Sequence, residues 1–189
     1  MDHRINLPEI LENHQLWCLG DWGQRADLCG ADLSYSELYG ANLHGAKLNG
    51  ADLHGACLSG ADLRCADLRC ADLRGARLVG GNLSRIGLSH ACLSHANLSR
   101  ADLRSSNLSR ARLSHAYLSR ADLRGADLRN AELRGAELRR TDLRNADLRN
   151  ADLSGADLRF ADLEGADLRK ANMTRANLTG AKNIDLAKR

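Results

Sequence analysis

A leucine recurs at every fifth position from Leu28 to Leu178, with Met173 as the one break. Two positions before each stands a small residue, usually alanine, and between them a polar one, usually Asp or Asn. Ala31-Asp32-Leu33-Ser34-Tyr35 and Ala121-Asp122-Leu123-Arg124-Gly125 are representative units. Residues 26–180 hold 31 such units without an insertion. Self-similarity this regular determines an architecture before composition is consulted. In an α-helix five residues turn through about 500°, so successive leucines would stand about 140° apart and form no apolar stripe. In a straight strand an odd period sends successive leucines to opposite faces. Ala and Leu of one unit share a face, and the next Ala follows three residues on. Both point inward throughout only if the chain bends between units. The pattern predicts a coil wound around a narrow core. Departures from Ala occur at Ser36, Gly81, Ile86, Ser106 and Thr141. Ile86 predicts local strain or widening, relieved by Gly80, Gly81 and Gly87 nearby.

These units resemble the pentapeptide-repeat family, whose motif is A(D/N)LXX, over 155 of 189 residues. The resemblance implies an all-β fold, a right-handed quadrilateral β-helix (solenoid) with one unit per side and four per coil. Four sides come from the family and not from the period. Nearly eight coils of 20 residues follow, and at about 4.8 Å per coil the rod is about 37 Å long. Residues 1–25 are expected to form an N-terminal α-helical cap, 26–180 the β-helix, and 181–189 a C-terminal cap or tail. Pro8 suits the first helical turn, Ile10, Leu11, His14, Trp17 and Cys18 follow helical spacing, and Gly20 is a stop. Trp17 and Trp22 are expected to lie over the first leucines, and Ile184 and Leu186 to cover the last coil in part.

No apolar run approaches the 18 residues or so of a membrane span. Glu9, Glu12 and His14 interrupt the N-terminal apolar segment, so it does not read as a signal peptide. The cytoplasm is the expected compartment. Among the six cysteines, Cys18, Cys29, Cys57, Cys65, Cys70 and Cys92, no two lie 20 apart, and reduced thiols are expected.

The net charge of +3 is uneven: −5 over residues 1–60, +6 over 61–120, −1 over 121–170 and +3 over 171–189. Some members of the family resemble duplex DNA in shape and negative charge and bind type II topoisomerases such as gyrase. Such mimicry works against a positive groove, and a basic waist suits it poorly. Nucleic-acid binding through the waist is the opposite reading. Arg100, Arg120 and Arg140 would form one stacked column, but Asp102, Asp122 and Asp142 form a column two residues along. Pairing between these columns is expected, which makes nucleic acid the weaker choice of partner.

The chain holds no Gly-rich phosphate loop, Gly-x-Ser-x-Gly or His-Glu-x-x-His. Its carboxylates are too regular to single out a catalytic pair. No catalytic residue, cofactor or metal site is predicted. His95 and His115 share a motif place 20 residues apart and should stack at the coil spacing, with Asn97 and Tyr117 beside them. Two histidines lack the further protein ligands of a zinc site. Around them Asp and Asn give way to Arg77, Cys92, Arg112 and Tyr117. Arg77, His95, Arg112, His115 and Tyr117 form the candidate partner-binding patch, since Arg and Tyr often anchor interfaces. Drift on a tolerant exposed face is the alternative. The expected function is a non-enzymatic, rigid scaffold for protein interaction, with a regulatory role. A DNA-mimic modulator of gyrase and nucleic-acid binding through the waist are the alternatives. The expected state is a monomer or an end-to-end dimer through the C-terminal coil.

Overall fold

The computed structural model describes residues 6–184. Helix α1 spans Leu7–Leu19, with Pro8 in its first turn, where the missing N–H leaves no bond unmade. Gly20 ends it in the left-handed conformation, φ 84°, with its amide on the Trp17 carbonyl and the Asp21 amide on that of Leu16. Leu7, Ile10 and Leu11 pack against the core, and His14, on the same stripe, is fully buried. Trp17 stacks on the His14 ring at 5.4 Å. Trp22 is fully exposed and covers nothing. The cap is therefore the apolar stripe of α1; Trp22 lies beyond Gly20 and off that stripe.

The rest is a right-handed quadrilateral β-helix of nearly eight coils. The second residue of each unit bridges its counterpart 20 residues on in parallel register, from Asp27–Lys47 to Asp162–Lys182. Four units thus make one coil. The inward Ala and Leu residues between Leu43 and Ala166 form a core with almost no access to solvent.

One unit shows how the backbone is satisfied. The Ala121 amide donates to the Leu118 carbonyl and closes the turn; those of Asp122, Leu123 and Gly125 donate to Ala101, Asp142 and Arg144 in the adjacent coils. The remaining amide, of Arg124, donates to the Asp122 side chain. The fifth residue of every unit has positive φ, as the third residue of a type II turn requires.

Departures from the motif are absorbed locally. The hydroxyls of Ser36, Ser106 and Thr141 donate to the carbonyls of Leu33, Leu103 and Leu118, so no inward polar group is left unpaired there. Around Ile86 the ladder neither breaks nor widens: Gly87 donates to Ala66, and Asn107 to Ile86, each at 2.9 Å. The preceding unit gives up a methyl at Gly81, and the Leu83 Cδ1 stands 2.9 Å from where a Cβ would be. In the last coil Ala171, Met173, Ala176, Leu178, Ala181 and Ile184 are half-buried. Leu186 lies outside the described residues.

Candidate functional site

The Asp/Asn place is part of the backbone architecture. In all 21 units that carry Asp or Asn there, its Oδ1 accepts the amide N–H two residues on. Such Asx turns explain the choice of residue, because only these short side chains reach that amide. Between residues 77 and 117 the place is taken instead by Arg77, Gly87, Cys92, Arg112 and Tyr117. The amides of Val79, Ser89, Ser94, Ser114 and Ser119 then have no acceptor among the described residues.

Where Arg follows two residues after Asp, the same carboxylate takes the guanidinium. Arg104 donates to Asp102 through Nε at 2.8 Å and Nη2 at 2.6 Å. These forked bonds hold the Asp102 carboxyl below the usual carboxylate range. The rungs continue between coils, Arg104 to Asp122 at 3.7 Å and Arg124 to Asp142 at 3.5 Å. Asp102, Asp122 and Asp142 are thus engaged by Arg104, Arg124 and Arg144. Arg100, Arg120 and Arg140 make no ion pair among the described residues, contrary to the pairing expected from the columns. The reason is geometric: residues two apart in an extended unit point the same way, whereas the corner arginine lies across a bend from the aspartate.

Corner side chains lean on the corner one coil further on. Tyr35 lies over Gly55, His115 over Gly135 and Phe160 over Gly180, where an added Cβ would meet the ring at 2.7, 2.8 and 2.6 Å. Likewise His95 stacks on His115 with ring centroids 5.3 Å apart and planes inclined by 10°. The Arg140 guanidinium sits over the Phe160 ring at 5.8 Å. Arg112 Nη2 donates to the Cys92 sulfur at 2.6 Å. Tyr117 bridges Asn97, which bridges Arg77.

The five candidate residues are thus arranged around one corner. The two histidines touch, Arg112 and Tyr117 flank His115 on adjoining faces, and Arg77 lies two coils from Tyr117. Between residues 73 and 121 the single carboxylate is Asp102, which Arg104 holds. Among the described residues no group of three or more His, Cys, Asp or Glu is placed to hold a metal ion, and no helix is long and apolar enough to cross a membrane.

Two features escaped sequence reasoning. The orphaned amides are signalled by the missing Asp or Asn, once the role of that place is known. His14 is the other: its Nδ1 accepts the Ala26 amide at 3.0 Å and joins α1 to the first repeat.

The repeats of this chain match those of known proteins. A family model described as pentapeptide repeats matches in eight copies, over residues 26–64, 48–85, 66–104, 82–120, 106–145 and 146–182. No curated protein matches the chain. Among solved structures, HetL, a pentapeptide-repeat protein involved in heterocyst differentiation regulation from the cyanobacterium Nostoc sp. strain PCC 7120, is 38% identical, with 98% of this chain and 95% of that one covered and a TM-score of 0.49. A pentapeptide-repeat protein from the Arabidopsis thaliana thylakoid lumen is 32% identical over 56% of this chain and 70% of its own, with a TM-score of 0.31. QnrB1, a plasmid-mediated fluoroquinolone resistance protein, is 20% identical over 87% of this chain and 89% of its own, with a TM-score of 0.49. With the repeat model matched from residue 26 to residue 182 over a four-sided coil, the chain belongs to the pentapeptide-repeat family.

Proposed function

We propose that this protein is a rigid, non-enzymatic rod that binds an acidic protein partner through its waist, in a regulatory role. The observation that carries this reading is that, over residues 73–121, Asp102 is the one carboxylate and five of the nine second places, Arg77, Gly87, Cys92, Arg112 and Tyr117, carry no Asx acceptor. That stretch presents guanidinium groups at Arg77 and Arg100 that make no ion pair among the described residues, a stacked histidine pair and a half-exposed tyrosine. Tyr and Arg on a backbone locked coil to coil lose little further freedom on binding, which favours them as anchors. A DNA surrogate asks for a continuous negative face. Here three of the four aspartates of the longest acidic column, Asp102, Asp122 and Asp142, are neutralised by Arg104, Arg124 and Arg144, which leaves Asp162 as the one without an ion pair among the described residues.

The test is affinity capture from native lysate, followed by titration of the purified captured protein. Wild type is compared with a variant carrying His95→Ser, His115→Ser and Tyr117→Ser. The expected result is weaker binding by the variant, with higher salt weakening the wild type. Equal affinity would show that the partner uses another surface.

A further inference from the structure

We propose that the corner formed by Ser119, Arg120, Arg139 and Arg140 binds a single phosphate group, carried by a phosphorylated protein segment. This site adjoins the histidine patch at Tyr117 but uses neither histidine. These four residues line a groove of about 210 Å³. Backbone register brings them together: the Arg120 amide donates to the Arg139 carbonyl at 2.9 Å. Arg140 is oriented from below by the Phe160 ring. Arg120, Arg139 and Arg140 line it with no ion pair among the described residues, although the Arg139 charge also acts on Asp157 in the following coil, and like charges gathered on one corner repel until an anion joins them.

The backbone supplies the second observation. In most units a carboxylate or carboxamide at the second place accepts the amide two residues on. Tyr117 and Glu137 hold that place here, and the Ser119 and Arg139 amides have no acceptor among the described residues. The charge of Glu137 acts on Arg159 in the following coil. Two neighbouring coils, about 4.8 Å apart, thus each present, among the described residues, an N–H without an acceptor beside a guanidinium without an ion pair. A phosphate oxygen bound there stands where the missing aspartate oxygen would be. Phosphate opposite an arginine cluster forms charge-assisted bonds of the strongest kind. The hollow on the other flank of Arg140 contains Asp142 and Asp162 as well as Lys182, so its charges offset one another and it favours an anion less.

The size of the site favours a phosphorylated side chain over a nucleic-acid backbone. The corner column reads Gly80, Arg100, Arg120, Arg140, Phe160, so its positive track is three residues long. It holds one phosphate well and does not follow a strand.

The experiment is a calorimetric titration of the full chain with inorganic phosphate, with a phosphoserine peptide, and with the same peptide unphosphorylated. Phosphate and phosphopeptide are expected to bind, and the unmodified peptide not to. Arg120→Gly and Arg140→Gly should each weaken binding about tenfold, the effect of losing one charged hydrogen bond. Glycine already occupies this corner place in many units, so both variants keep the fold. Glu137→Asp is the sharper probe. It supplies the usual acceptor to the Arg139 amide and should abolish phosphate binding with every arginine present. A variant carrying His95→Ser and His115→Ser should bind phosphate as wild type does, which separates this site from the waist reading. Wild-type affinity in Glu137→Asp, or a duplex DNA fragment binding more tightly than the phosphopeptide with a steep salt dependence, would overturn the proposal.

Discussion

Gly60 stands at a corner with φ +69° and no heavy atom within 4 Å of where a Cβ would sit. Gly60→Ala therefore probes backbone strain alone. Holding an L-residue in the left-handed region costs roughly 1–2 kcal/mol. Restricting the unfolded chain offsets about 0.4–1 kcal/mol of that. The expected net loss is about 1 kcal/mol, which in a chain of this size lowers Tm by about 2–4 °C. Gly135 has nearly the same backbone, φ +64°, but a Cβ there meets the His115 ring at 2.8 Å. Gly135→Ala must displace the ring as well and should lose more. Adding His115→Ser opens the space and should bring the loss back to the Gly60 value. Arg110→Gly, starting from φ 59°, runs the change in reverse and should gain about 1 kcal/mol. Thermal melts followed by circular dichroism read all four. The reasoning fails if Gly60→Ala melts at or above wild type. It also fails if Gly135→Ala matches Gly60→Ala whichever residue stands at 115.

Leu103→Asp should unfold the middle of the rod, since it buries an unpaired charge in the leucine stack, whereas outward Arg104→Ser should shift the melt far less; equal shifts would contradict the inward and outward faces. Supercoiling by DNA gyrase should proceed unchanged in the presence of the protein, and inhibition that disappears on neutralising Asp122 and Asp142 would instead establish DNA mimicry. Burial pushes the His14 imidazole pKa down, and its Nδ1 accepts the Ala26 amide only when neutral. The unfolded chain, titrating near 6.5, then binds more protons than the folded one. Docking of α1 should be fully present above about pH 6.5 and weaken as pH falls towards the lowered folded value. Urea melts read by tryptophan fluorescence should show this slope in wild type and lose it in His14→Leu; an unchanged slope refutes the assignment.

The core was legible because the five-residue period leaves the leucine and alanine places one consistent direction. Four sides were not, since a bend after each unit is compatible with several polygons; the bridge from Asp27 to Lys47 decides it. The arginine columns were misjudged for a related reason. A projection of the coil places Arg120 beside Asp122, but Arg124, two residues along the same extended stretch, reaches that carboxylate first. His14 was visible as part of an apolar stripe, yet only the fold reveals that a repeat amide faces its ring. The histidine patch was legible as a stack, and the structure places His95 against His115. What the surrounding amides lack was not legible until the Asx turn explained the motif's second place.

The twenty-residue register has a consequence for how such a rod can change length. Each outward column is in phase only with residues a whole coil away. Gain or loss of one full coil lengthens or shortens the rod by about 4.8 Å and leaves every face where it was. Gain or loss of a single unit preserves the inward leucine and the turn, so the chain still folds, but everything beyond it turns by a quarter revolution. Deleting residues 126–130 would carry Arg139 and Arg140 off the corner of Arg120 and set a different column beneath Ser119. Folding tolerates change in steps of five residues and surface recognition only in steps of twenty, so a rod of this kind can shuffle its binding faces without rebuilding its core.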